Sequence, residues 1–207
     1  MSKKPGRAAP MAPDERRRAI VEAVIPLLVR HGAGVTTRQI AEAAGVAEGT
    51  IFRVFPDKCA LMRAAAQATM DPASGPAVLA DIDGSLDLHD TVREMATHLL
   101  ERMEQVMAVM IAVRGALQPE ARAQTHRRPA GPPAFVTEAN RAMLEGLTEV
   151  FERHRDELTV EPDRAAVVLR SLVFGSQHLG MHQVGTLSAE EIATVLVSGI
   201  TRQGEQR

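Results

Sequence analysis

Between Thr36 and Phe55 the sequence TTRQIAEAAGVAEGTIFRVF is punctuated so closely that it holds two short helices and nothing longer. Thr36 can cap a helix, Gln39 three positions on can complete a capping box, and Gly45 ends the segment. Ile40, Ala41 and Ala44 then share one face. The next segment, 47–54, contains Gly49 and residues of poor helix propensity, so it must be held in place by packing. Phe52 and Phe55 lie in or beside it, in a chain with only five Phe and no Trp or Tyr.

Two short helices joined by a Gly-containing turn form a helix-turn-helix, whose second helix lies in the DNA major groove. Such a helix needs one anchored face and one face free to meet bases and phosphates. Ile51 and Phe55, four apart, supply the anchor. Glu48, Gly49, Phe52 and Arg53 are left toward the other side. Charge follows the same division. Residues 1–58 hold ten Lys or Arg against six Asp or Glu, giving +4, within a chain of net charge −2. A basic first segment joined to an acidic remainder suggests two tasks in one chain.

Helical periodicity dominates elsewhere, and no alternating strand pattern stands out. A first helix starts at Pro13, runs through Ile20, Val24, Leu27 and Leu28, and stops at Gly32, with Pro26 expected to kink it. Asp57 and Lys58 open a fourth helix that ends at Asp71 and Pro72. A turn-rich stretch to Gly84 precedes a periodic region from Leu88 to Leu117, long enough that a break is expected. Residues 118–134, rich in Pro and Arg, read as a mobile connection. Further helices follow from Phe135 to Phe151, from about Pro162 to His182, and from Ser188, with its box partner Glu191, to Ile200. The 207 residues, 45% of them hydrophobic, suffice for a folded core, and the single Cys59 excludes an intrachain disulfide. The apolar run at 106–113 is too short to span a bilayer, and the basic N-terminus lacks a signal-peptide core, so a cytoplasmic protein without a membrane partner is expected.

The motifs HGAGVTTRQIAEAAGV, EGTIFRVF and DKCALM make residues 14–62 resemble the DNA-binding module of the tetracycline-repressor (TetR) family of bacterial transcriptional regulators. The resemblance implies an all-α fold of about nine helices. An N-terminal helix-turn-helix DNA-binding domain with its basic arm would occupy 1–58, and a larger helical ligand-binding and dimerisation domain 59–207. It implies a regulator, a repressor released from an inverted-repeat operator by a small apolar molecule, acting as a homodimer, with no cofactor and no enzymatic role. By position, Thr37 and Arg38 resemble residues facing phosphates and base edges, and Thr50 and Phe52 resemble backbone contacts. Arg53 fits a base or phosphate reader, and Lys58 resembles a phosphate clamp. Three residues depart from the family pattern: Phe52 stands for Tyr, Ala47 for a capping Ser or Thr, and Glu48 places an acid near phosphates. Glu48 and Gly49 complete the expected DNA face.

In the family the later helices enclose a ligand chamber, and the last two pair with a second subunit. Met adapts to irregular shapes, so Met103, Met107, Met110 and Met143, with Phe174 and His178, are the expected lining. His178 and His182, four apart on one helical face, leave an alternative reading: a helical small-molecule or metal-binding protein whose DNA module does not function.

Overall fold

The computed structural model of the chain describes residues 12–123, 131–177 and 185–201. Nine α-helices lie among them: α1 (Pro13–His31), α2 (Thr37–Ala43), α3 (Glu48–Val54), α4 (Lys58–Thr69), α5 (Ser74–Ala80), α6 (Leu88–Ala123), α7 (Ala134–Glu152), α8 (Pro162–Ser176) and α9 (Ala189–Ile200). The extended pairing among the described residues is one isolated antiparallel bridge between Leu158 and Thr201. The fold is all-α, as the periodicity predicts. No helix among these residues is long and apolar enough to cross a membrane.

The described residues form two compact units. The first contains the residues up to Thr69 and the segment of α6 that begins at Ala108. Its core gathers Ile20, Val24 and Leu28 of α1, Ile40 of α2, Ile51 and Phe55, Leu61 and Met62 of α4, and Val109, Ala112 and Val113 of α6. The second contains the chain from Met70 to Met107 with α7, α8 and α9. Its core gathers Leu79, Val92, Met95, Leu147, Phe151, Leu169, Val173, Ile192 and Leu196. The expected boundary after Lys58 falls at the first residue of α4, whose Leu61, Met62 and Ala65 are all buried in the first core. That compact unit therefore continues past the boundary and takes in a later stretch of chain.

The capping signals act as the sequence suggests. Thr36 accepts from the Gln39 backbone N–H while the Gln39 side chain accepts from the Thr36 N–H at 2.8 Å. Gly45 follows in the left-handed region at φ 64, where a Cβ is disfavoured. Ser188 and Glu191 form the same reciprocal cap on α9. Asp57 caps α4 by accepting from the Ala60 N–H.

Three expectations are corrected. The stretch 72–84 contains α5, because Pro76 sits in the helix's first turn, where its missing N–H has no intrahelical acceptor to lose. Asp71 ties down the entry by accepting from the Ala73 N–H at 3.0 Å and, through its carbonyl, from the Ser74 hydroxyl at 2.7 Å. The region from Leu88 is a single helix with no break, and it runs on through 118–123, which the composition assigned to a mobile connection. Residues 124–130 of that connection lie outside the described residues. Helix α8 ends at Ser176 with Gln177 as its C-cap, so the expected helix to His182 is not continuous, and 178–182 lie outside the described residues.

Pro26 sits inside α1, exposed, without ending the helix. It removes one backbone donor and disfavours the turn before it. Pro26→Ala restores that donor at a position with nothing to displace. The variant is expected to be more stable by about 2 kcal/mol in urea unfolding followed by circular dichroism, some of the gain being offset by the freer unfolded chain.

Candidate nucleic-acid interface and small-molecule cavity

Helix α3 has seven residues and no side-chain cap at Ala47, so nothing local stabilises it. Ile51 and Phe55 are almost wholly buried in the first core and hold it there. The Arg17 guanidinium lies 4.4 Å from the centre of the Phe55 ring and donates to the Val54 carbonyl, fastening the end of α3 to α1. With that face fixed, Glu48, Gly49, Phe52 and Arg53 form one exposed stripe. Phe52 keeps 52% of its surface exposed, the largest apolar group on this face. A Cβ built on Gly49 meets nothing within 4 Å, so packing does not account for glycine in the first turn of α3.

The remaining predicted DNA-facing residues divide by what they touch. Arg38 is exposed on α2. Thr37, half-buried, donates its hydroxyl to the Glu48 carboxylate and so joins the first residue of α2 to the first of α3. That bond gives Glu48 a partner within the chain. Thr50 and Arg53 line a groove between the start of α1 and α3, together with Arg16 and Arg17. Asp14 is the one acid among the groove's lining residues. The sequence reading passed over these two arginines, although the run Arg16, Arg17, Arg18 in the first turns of α1 was visible. Lys58 is half-buried, and its ammonium donates to the carbonyls of Val35 at 2.6 Å and Ala33 at 3.2 Å. It fastens the loop entering α2 and keeps one further donor.

In the second unit, two adjoining cavities of about 170 Å³ and 70 Å³ share Leu99, Arg102 and Met143 as walls. Of the predicted lining, Met103, Met143 and Phe174 come together there. Met107 is half-buried and does not line either cavity, while Met110 is exposed on the α6 segment that belongs to the first unit. His178 and His182 lie outside the described residues. The sequence reading missed Met70, Arg102, Asn140 and Arg170. Burial pushes the Arg102 guanidinium below its ordinary value, and the charge of Asp71 partly opposes this. Among the described residues, no hydrogen bond or ion pair holds Arg102. Arg170 lies with its guanidinium 5.0 Å from the centre of the Phe174 ring.

His154 is buried with Nδ1 at 2.8 Å from Glu157 and Nε2 at 3.3 Å from the Thr91 hydroxyl. Among the described residues, no group of three or more His, Cys, Asp or Glu is placed to hold a metal ion.

Residues 20–65, from the middle of α1 into α4, match the family described as bacterial regulatory proteins, tetR family. In these helices the chain is similar to the TetR family. The uncharacterized HTH-type transcriptional regulator YvkB of Bacillus subtilis is 36% identical over 95 residues, 45% of this chain and 47% of that protein. The chain thus spans about half the length of that relative. The TetR transcriptional regulator SCO0520 of Streptomyces coelicolor has the same fold, with a TM-score of 0.59 at 17% identity over 91% of this chain and 99% of the other. LfrR of Mycobacterium smegmatis, solved in complex with proflavine, gives 0.54 at 22% identity over 91% and 98%.

Within this TetR-like segment, Lys58 has a structural task that a pure phosphate clamp would not have. Lys58→Met keeps the apolar stem and strips the ammonium from two carbonyls. It is expected to destabilise the DNA-free protein by about 1 to 3 kcal/mol in thermal unfolding, whereas a lysine that touched only phosphate would leave stability unchanged.

Proposed function

We propose that this chain is a transcriptional regulator that binds an inverted-repeat DNA operator as a homodimer, through α2 and α3, and is released by a small molecule held in the second unit. The observation that carries the reading is the outer stripe of α3. A short helix is anchored by two large buried side chains, and it turns a first-turn glycine, an exposed aromatic and an arginine outward. Phosphates and base edges are the partners that suit this combination. Glycine admits close approach of a backbone, Phe52 offers apolar contact to a thymine methyl or a sugar, and Arg53 can pair with guanine. The basic groove beside it, with Arg16 and Arg17, suits the phosphate backbone. The cavities of the second unit supply the ligand site, a role for which the proflavine complex of LfrR is a precedent at the level of fold.

Dimerisation through the last two helices is supported by their exposed apolar residues, Val167 and Phe174 on α8 and Val195 on α9. Two-fold symmetry in the protein then requires two-fold symmetry in the site.

The DNA reading generates opposed signs at one residue. Gly49→Ala is expected to stabilise the protein by about 0.5 to 1 kcal/mol, since alanine suits the helix and meets no neighbour. The same change is expected to weaken binding to the DNA flanking the gene in a mobility-shift assay at fixed salt. Arg53→Ala and Arg38→Ala are expected to cost about 1 to 3 kcal/mol of binding and to relax preference at one position of each half-site. Unchanged binding by all three variants would remove α2 and α3 from the DNA interface.

The dimer reading is checked at Val195, which is 59% exposed. Val195→Glu is expected to sediment as a monomer with unaltered helix content. A variant that stays dimeric would move the interface away from α9.

A further inference from the structure

The smaller cavity of the second unit is walled mainly by apolar groups, the larger one adds His98, Glu101 and Gln105 to its apolar walls, and the two share the charge of Arg102. Leu99, Met103, Met143 and Val106 form aliphatic and thioether walls, with Val78 and Leu79 at the α5 side. Gly75 leaves room for the Met143 thioether, whose terminal methyl would lie 2.6 Å from a Cβ at that position. A flexible side chain therefore stands where both cavities share a wall. Arg102 lines both, half-buried, and Arg170 and Asn140 line the smaller one. A purely apolar ligand would leave the Arg102 guanidinium desolvated with its donors unmet, which is unfavourable. An apolar body ending in a carboxylate would meet both the walls and the fork of donors.

We propose that the joined cavities bind a small anionic amphiphile, a monocarboxylate on an aliphatic body, with Arg102 pairing the carboxylate and Arg170 and Asn140 completing its shell. This rests on the ligand-site reading above and adds the ligand's class to it. Glu101 lines the larger cavity and Asp71 acts on Arg102 from nearby, but both are exposed and, among the described residues, neither neutralises it by direct pairing. Size sets the length: a cavity of about 150 Å³ accommodates benzene, so these cavities suit about six to ten non-hydrogen atoms. Arg102 is then kept at the expense of the empty protein's stability, as binding residues often are.

The test uses the full-length protein and three probes of matched length, octanoate, 1-octanol and octylamine, titrated by calorimetry. Octanoate is expected to bind at least tenfold more tightly than octanol, and octylamine more weakly than either. Arg102→Met is expected to lower octanoate affinity to that of octanol, to leave octanol affinity unchanged, and to raise the ligand-free unfolding midpoint by about 2 to 4 °C. A lower midpoint in Arg102→Met would make Arg102 a structural residue and overturn the proposal. Equal binding of octanoate and octanol by the parent protein would overturn the anion assignment while leaving an apolar ligand cavity in place. Failure of all three probes to bind would overturn the proposal together with the ligand-site reading on which it rests.

Discussion

The burial of Ile51 and Phe55 is the interaction on which the outer face of the first unit depends. A helix of seven residues without a side-chain cap does not persist in water, because ordering its backbone costs more than its few hydrogen bonds supply. Its orientation is decided by where its two large apolar groups go. Both enter a core built from α1, α2 and α4 and the later segment of α6. Arg17 adds a second hold from outside through the Phe55 ring and the Val54 carbonyl. Once those contacts are made, the directions of Glu48, Gly49, Phe52 and Arg53 follow from helical geometry alone.

Local chemistry made most of the fold legible in the sequence. Thr36 with Gln39, Ser188 with Glu191, and the glycines after α1 and α2 are signals read within a few residues, and the corresponding helix ends stand where they indicate. The signals failed where a proline or glycine was given its average meaning. Pro76 is harmless in a first turn, and Pro26 is tolerated in mid-helix because α1 buries Ile20, Val24 and Leu28 around it. Residues 118–123 look like a connection by composition, yet α6 continues through them.

The exposed stripe of α3 was legible because it lies on one short element with a clear inside and outside. The cavity was not. Methionine spacing along α6 reports that a face is apolar but not which core it faces, and α6 contributes to the second core as far as Leu99 and to the first from Val109. Met103 and Met110, seven residues apart, therefore serve different surroundings despite sharing a helical face. Arg102 was invisible for a related reason. A charge next to apolar neighbours in sequence reads as the solvated side of an amphipathic helix, and its half-buried state arises only once α7 and α8 supply the opposite walls.

The participation of Val109, Ala112 and Val113 in the first core has a consequence for how such a protein can be divided or recombined. The segment that carries the helix-turn-helix is continuous in sequence, but the unit that keeps it folded is not. A fragment ending at Thr69 leaves behind part of its own hydrophobic interior. An exchange of N-terminal halves between relatives would bring together surfaces that were never fitted to each other. The transferable piece is therefore discontinuous: the first four helices together with the matching stretch of α6.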